Sequence, residues 1–497
     1  MKKLICLLLA LLVAFTLFAQ GNEEESKTDG VVVSMLYKDN AAYPFKEDWK
    51  ALQWMKEETG VTLKAQLVPE SDWAVKKEIV MNSGNIPDII ASTFVESADV
   101  VSGLILPVSQ YEDQMPNFQK YIDKYNLRAE IESTRFADGN YYNLPSKSRN
   151  GKIQDQQWLI RTDIFEKHGI AIPTTMEEMY EAGVKLKALY PDSTPITNRF
   201  GAANIMTGFA AANGVIAGWT IGDGMHYDYD NGQWYYAPAS DGYKSMLTYV
   251  HKLLEAGVLD QEFSTLDSTV YEQRIVQGDT FMMYDWSGNM VRYNAQGKAI
   301  DPSYQVKAIY PPEGIDGNHA VGWKATWDQG IMLPASLADD EEHLAEVLDF
   351  LDWTYSEEAC VLLTFGKEGE TFEYNEDGYK VYIDRETVDY PAAFGLDNNN
   401  FCIREDNDYL YGTLSADQAE LFSKIAADGV IPPVNPKSPL SADELEEIGI
   451  TTSTCLDYVN NMTEKFIFGS ESLDNWDEYI DTLESKGYKK IVELYNK

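Results

Sequence analysis

Cysteine is scarce in this chain, with four among 497 residues, and one of them, Cys6, lies inside an N-terminal apolar run. Cys360, Cys402 and Cys455 remain, an odd number with no CxxC pair and no histidine at zinc-site spacing. That excludes a disulfide framework and a structural zinc, and leaves one bridge open. Histidine is almost as rare: His168, His226, His251, His319 and His343 are scattered, and no GxSxG, HExxH or P-loop spacing occurs. A serine hydrolase, a zinc protease and a nucleotide-driven enzyme each lose their signature. Basic residues are half as numerous as acidic ones, 40 against 80, for a formal net charge of −40. Such a surface repels nucleic acid and anionic lipid. It also disfavours a polyanionic ligand, such as a pectin or alginate fragment, unless a local basic pocket offsets it. There is no internal repeat.

Only one long apolar run is present. Leu4 to Phe18 follows Met1-Lys2-Lys3 and precedes Ala19-Gln20-Gly21 and an acidic tract. This is the layout of a secretory signal peptide, with a run too short to span a bilayer comfortably. Residues 1–19 are expected to be cleaved near Ala19, and 20–30 to form a flexible acidic leader. A lipoprotein needs a cysteine just after the run, whereas Cys6 lies within it, so free export is expected over lipid anchoring. What remains has the length of two lobes.

The periodicity predicts an α/β chain. Val31 to Tyr37, Val61 to Val68 and Asp88 to Ala91 read as strands separated by helices over about 46–59 and 71–83, a βαβαβ pattern that implies a parallel sheet. Gly60 and Gly84 end those helices, Pro87 forbids resumption of the second, and Ser71 is its expected cap. In an open α/β sheet, ligands bind outside the carboxyl ends of the strands, and Ser92, Thr93 and Phe94 lie just past such an end. A second block begins at Gln157-Trp158-Leu159-Ile160-Arg161. Thr174 with Glu177, or Thr175 with Glu178, makes a capping box for the following helix. Phe281 to Trp286 is another strand, Gly330 to Pro334 another, and the segment from Ser441 is mostly helical. Asp228 to Gly232 and Asn375 to Gly378 read as hairpin turns, not calcium loops.

Seven stretches, in order, resemble the extracellular solute-binding proteins (family 1) of ABC importers, in the long oligosaccharide-binding branch related to maltose-binding protein. They are MNSGNIPDIIAS (81–92), ADGNYYNLP (137–145), WLIRTDIFEKHGIAIPTTMEEM (158–179), VQGDTFMMYDWSG (276–288), LAEVLDFLDWTYSEEA (344–359), FGKEGETFEY (365–374) and KFIFGSESLDNWDEYIDTL (465–483). The resemblance implies a two-lobed periplasmic-binding-protein (type II) fold. Each lobe would be a mixed, mostly parallel sheet flanked by helices, with the ligand cleft between lobes. The N-terminal lobe is placed at 31–145 and 303–358, and the C-terminal lobe at 146–302 and 359–497, the latter with a helical C-terminal segment.

The same resemblance implies a binding protein rather than an enzyme, without cofactor and with no bound metal. It would be monomeric, closing on a carbohydrate and passing it to membrane permease subunits. Some long relatives carry a calcium loop after the second-lobe helix, whereas Tyr190 to Pro195 is too short and too poor in oxygen ligands for one. A neutral sugar offers C–H patches to aromatic rings and hydroxyls to paired polar groups, so a neutral oligosaccharide is expected. Candidate contacts are Tyr37, Ser92, Thr93 and Phe94 at strand ends, and Asp285 and Trp286 closing the Phe281 strand. Trp323 and Trp327 in a Gly-containing loop, and Phe209 and Trp219 in a small-residue segment able to approach a ligand closely, complete the set. A secreted polysaccharide-acting enzyme, the same fold binding a peptide or amino-acid-like solute, and a nutrient sensor stay open on sequence alone.

Overall fold

A computed structural model describes residues 30–497 apart from 42, 96, 126, 137, 146–155, 323–329, 377, 386, 399, 402–411, 413–414, 434 and 437. The signal peptide, most of the leader, Cys402, Trp323 and Trp327 lie outside the described residues.

The first body is built on β1 (Val32–Asp39), β2 (Thr62–Pro69), β3 (Ile89–Thr93), β4 (Leu144–Pro145) and, from far along the chain, a strand Gly330–Met332. β1 is parallel to β2 and to β3, and the Gly330–Met332 strand lies antiparallel between β3 and β4. The helix Lys50–Thr59 buries Ala51, Trp54 and Met55 and stops at Gly60, whose left-handed φ of 71° lets its N–H reach the Lys56 carbonyl. The next helix spans Trp73–Met81 after a 3₁₀ turn, so Ser71 falls in the turn and does not cap it.

The second body holds β5 (Gln156–Arg161), β6 (Ile196–Thr197), a hairpin of β7 (Met225–Asp228) with β8 (Gln233–Tyr236), β9 (Met282–Trp286) and β10 (Val306–Ala308). Its main sheet has the order β10-β5-β9-β6, in which β9 and β6 are parallel and β5 opposes both of its neighbours. The Gly330–Met332 strand is β11, and β12 (Phe372–Tyr374) with β13 (Lys380–Tyr382) forms a second hairpin, as the Asn-Glu-Asp-Gly turn predicts. Each main sheet thus has a single reversed strand, β11 or β5. In both cases it is the first strand formed after the chain arrives from the other body.

The helix Met176–Leu189 opens with the Thr175/Glu178 capping box and buries Met176, Met179, Gly183 and Leu186. The helix Gly201–Ala210 lies flush on the sheet: a Cβ on Gly208 would stand 2.8 Å from the Tyr284 ring. Trp158 donates Nε1–H to the Gly208 carbonyl at 3.2 Å. Gly208 therefore serves close packing against β9. The helices Ala442–Ile467, Trp476–Lys486 and Tyr488–Tyr495 complete the same core, with Gly487 at φ 103° between the last two.

The lobe boundaries require correction. Residues 303–322 belong to the second body, because β10 pairs with β5 and Tyr304, Val306, Ile309 and Ala320 are buried in its cores. Residues 359–401 belong to the first, because Cys360, Leu363, Phe365, Tyr382 and Tyr390 are buried in its core. The chain changes body between Pro145 and Gln156, between Gly322 and Gly330, and between Gly412, which packs on Phe365, and the helix Ala416–Asp428, which joins the second body. Cys360 and Cys455 are both buried and sit in different bodies, so they are not bridged to each other. Among the described residues no helix is long and apolar enough to cross a membrane.

Candidate ligand cleft between the two bodies

Parallel neighbours bring their carboxyl ends together, and each body uses this once at a shared cavity of about 210 Å³. In the first body β1 and β2 end at the register pair Asp39 and Pro69. The next residues, Asn40 and Glu70, line the cavity, and the Asn40 amide donates to Glu70 at 2.9 Å. In the second body β9 ends at Trp286 and β6 is followed by Asn198-Arg199-Phe200; Trp286, Arg199 and Phe200 form the facing wall. This is the strand-end rule of open α/β sheets applied from two sides.

Phe200 and Trp286 are the rings of this wall, and Trp219 packs against both to make a trio. Ring centroids lie 5.9 Å apart for Phe200 and Trp219, 5.8 Å for Phe200 and Trp286, and 5.8 Å for Trp219 and Trp286. Phe200 and Trp219 are 37% and 46% exposed, unusual for such large apolar rings. Phe200 also sits at φ 62°, ψ 35°, a left-handed conformation that costs a phenylalanine energy. Opposite it, Asp397 lines the same cavity at φ 51°. Strained non-glycine residues on both walls mark the cleft as a place where side-chain direction outweighs backbone comfort.

Behind the trio lies a buried charge cluster. Asp285 is fully buried and accepts from Arg199 Nη2 at 2.8 Å, Tyr271 Oη at 3.1 Å, Tyr293 Oη at 2.5 Å, Asn289 Nδ2 at 3.1 Å and the Trp286 N–H at 2.8 Å. Its oxygens are engaged within the protein, so Asp285 holds the wall. Burial, joined by the Asp285 charge, pushes the Tyr271 and Tyr293 hydroxyls well above their ordinary pKa, so both stay protonated donors. Glu272 Oε1 accepts from Arg292 Nη2 at 2.6 Å and from Arg199 Nη1 at 3.5 Å. Burial favours loss of the Arg199 charge, but Asp285, Tyr293 and Tyr271 together outweigh it and drive the pKa up. Arg199 and Arg292 are 7% and 8% exposed, both line the cavity, and the Nε–H of each has no protein partner among the described residues. Two buried donors thus lack an acceptor among the described residues.

The first body completes the cleft with the segment after β13. Tyr382, Arg385, Val388, Asp389 and Asp397 line it. The segment is tied to β1 by side chains that act as backbone: Asn400 Oδ1 accepts from the Lys38 N–H at 2.9 Å, and its Nδ2 donates to the Lys38 carbonyl at 3.1 Å. Asn398 Nδ2 donates to Tyr37 Oη at 2.7 Å.

The sequence candidates divide accordingly. Trp286 is in the wall and Trp219 packs on it. Tyr37 is fully buried and positions the segment through Asn398 without facing the cavity, and Asp285 positions Arg199. Phe209 is fully buried, its ring 4.6 Å from that of Trp158, so it is core; its Gly-rich surroundings meet β9, not a ligand. Ser92 and Thr93 are 3% and 4% exposed inside β3, where Thr93 pairs with Gly330. Phe94 is 53% exposed at the end of β3, and none of these three lines the cavity. Trp323 and Trp327 lie outside the described residues. Arg199, Phe200, Glu272, Arg292, Arg385 and Asp397 were missed. Arg199-Phe200-Gly201 after a two-residue strand was the available signal, an arginine and a ring at a strand's carboxyl end. Where a calcium loop was considered, Lys187 Nζ donates to the Ser193 carbonyl at 2.7 Å. Among the described residues no group of three or more His, Cys, Asp or Glu is placed to hold a metal ion.

Comparison with known proteins agrees with this architecture. A family model described as bacterial extracellular solute-binding protein matches residues 38–359. The chain is 24% identical over 468 residues to the polygalacturonan/rhamnogalacturonan-binding protein YtcQ of Bacillus subtilis (strain 168), covering 90% of this chain and 87% of that protein. It shares its fold with the alginate-binding protein AlgQ2, solved without calcium ion (TM-score 0.73, 17% identity, 94% of this chain and 97% of that one). The Streptococcus pneumoniae ABC-transporter substrate-binding protein FusA in complex with kestose is likewise similar (TM-score 0.71, 18% identity, 93% and 98% covered).

Proposed function

Because the chain belongs to the bacterial extracellular solute-binding protein family, we propose that it is the extracytoplasmic receptor of an ABC importer, capturing an oligosaccharide between its two bodies and delivering it to a membrane permease. It is a binding protein and not an enzyme, as its family is. The observation that carries the sugar reading is the pairing of the Phe200 and Trp286 rings, backed by Trp219, with the Arg199 and Arg292 guanidiniums on one wall. Rings take the C–H face of a pyranose or furanose, and the polar groups take its hydroxyls. The charges of this wall are already matched, Arg199 to Asp285 and Arg292 to Glu272, which suits a neutral ring at this position. The relatives, a polygalacturonan/rhamnogalacturonan-binding protein, an alginate-binding protein and a substrate-binding protein in complex with kestose, support a carbohydrate.

Closure is the working motion. A ligand touching Trp286 and Arg292 on one side and Asn40, Tyr382 and Asp397 on the other gains its full affinity only when both walls meet, which is what shifts a hinge equilibrium. The signal peptide is removed near Ala19 and the mature chain acts as a monomer. Thermal unfolding of the mature chain against a glycan panel tests this reading. Ligand at a hundredfold its Kd adds about 2.7 kcal/mol, a shift of several degrees, and the sugar must be recovered intact. A shift with amino acids or peptides and with no glycan overturns the sugar assignment, and a cleaved sugar overturns the transport role.

A further inference from the structure

The cleft does not end at the aromatic wall. Val291 and Arg385 line the ring cavity and also a second cavity of about 150 Å³, so the two are consecutive spaces along one groove. The second space has a different chemistry. Among the described residues that line it there is no aromatic ring, and the charged ones are Lys298, Lys307, Arg385 and Asp417, three cations against one carboxylate. In a chain with twice as many acidic as basic residues, that local excess is the reverse of the average surface.

Its polar frame is already committed. Asn294 holds both backbone groups of Val306, at 2.7 and 2.9 Å, and Gln418 accepts from the Ala308 N–H at 2.7 Å. Lys307 pairs with Asp417. Lys298, in the last turn of the helix Asn289–Lys298, forms no ion pair with a described residue. Lys298 and Lys307 belong to the second body and Arg385 to the first, beside the place where the chain changes body ahead of Ser415. An anion between Lys298 and Arg385 is attracted from both bodies, so it is bound better in the closed form than in the open one.

We infer that the second cavity seats a carboxylate carried by the sugar residue adjacent to the ring in the aromatic cavity, so that the ligand is a uronate-containing oligosaccharide. This rests on the sugar-capture reading and extends it. A neutral ring stacks at Trp286, and its neighbour places an acid group among Lys298, Lys307 and Arg385.

The test is calorimetric titration of the mature chain with trisaccharides containing galacturonate, mannuronate or guluronate, each beside its carboxyl-reduced counterpart. At least one uronate sugar binds tenfold or more tightly than its reduced partner. Lys298→Ala, which removes no ion pair with a described residue, lowers that ratio severalfold. Equal affinity within every pair, or a ratio untouched by Lys298→Ala, overturns the inference. Inorganic sulfate binding as tightly as the best trisaccharide also overturns it, since the site would then take a free anion. A chain that binds neutral glycans without acid preference keeps the importer reading and loses this one; a chain that binds no glycan loses both.

Discussion

Replacing Asp285 with Asn removes a charge and little else. The amide keeps the volume, its Oδ1 still accepts, and the Tyr271 and Tyr293 hydroxyls can rotate to accept from its NH₂ group. What changes is Arg199, left with Glu272 at 3.5 Å, a carboxylate that Arg292 already engages at 2.6 Å. Breaking one side of a buried ion pair costs about 3–5 kcal/mol. Glu272 offsets part of this, which places the expected loss at about 3 kcal/mol. For a body of this size each kcal/mol moves the melting temperature by about 2–4 °C, so the variant should melt about 6–12 °C lower.

The cause is checked by a second substitution. If the loss comes from the stranded guanidinium, Arg199→Met in the Asp285→Asn background should recover stability, because a buried ion pair can be replaced by apolar volume at little cost. Ligand affinity should stay low in the double variant, since Arg199 is in the cavity wall. Thermal melts by circular dichroism and titration with the best glycan measure both. A single variant melting within about a degree of the parent, or a double variant no more stable than the single, refutes the account of Asp285 as counter-ion to Arg199.

Trp286→Ala should weaken ligand binding by about tenfold or more, equivalent to about 1.4 kcal/mol, while the melting temperature without ligand changes little; unchanged affinity would remove the rings from the site. His226 gives a pH prediction. Burial pushes its pKa from 6.5 down to about 4, and its Nδ1 lies 2.7 Å from Tyr235 Oη. The unfolded chain therefore takes up the proton first, and stability is complete above pH 6.5 and falls as pH drops towards 4. The full loss is about 3 kcal/mol, and His226→Gln should flatten that part of the stability profile; an unchanged slope between pH 6.5 and 4 would show that His226 does not carry it.

How much of this was legible depends on the range of the interactions. The Gly60 stop, the Thr175/Glu178 box and both hairpins are local, and their residues announce them. Trp286 was readable because a strand ends there. Phe200 and Phe209 show the limit: they lie nine positions apart in one small-residue stretch, one facing the cleft and the other sealed in the core. What separates them is the positive φ at Phe200 and the approach of Gly208 to Tyr284, both products of packing against β9. The lobe boundary failed for a similar reason. Val306-Lys307-Ala308 is too short to show alternation, and only pairing with Arg161-Ile160-Leu159 assigns it to a body. Asn400 completes β1 from 362 residues away, a bond no local pattern reveals.

Net charge was the sequence argument against an acidic ligand, and the groove shows where that argument stops. At physiological salt the Debye length is about 8 Å. A charge of −40 spread over the surface therefore shapes the approach of an anion, while its binding is decided by groups within a few ångströms, here Lys298, Lys307 and Arg385. The two ranges should separate in kinetics. Raising ionic strength from 0.01 to 1 M shortens the Debye length from about 30 to about 3 Å. For the uronate sugar, association should speed up, as the repulsive far field is screened, and dissociation should also speed up, as the contact pairs weaken. The carboxyl-reduced sugar should show neither trend. Stopped-flow tryptophan fluorescence can follow both rates through Trp286 and Trp219. If association with the uronate slows as salt rises, the field at the groove mouth is attractive, and local cations, not the acidic surface, govern encounter as well as affinity.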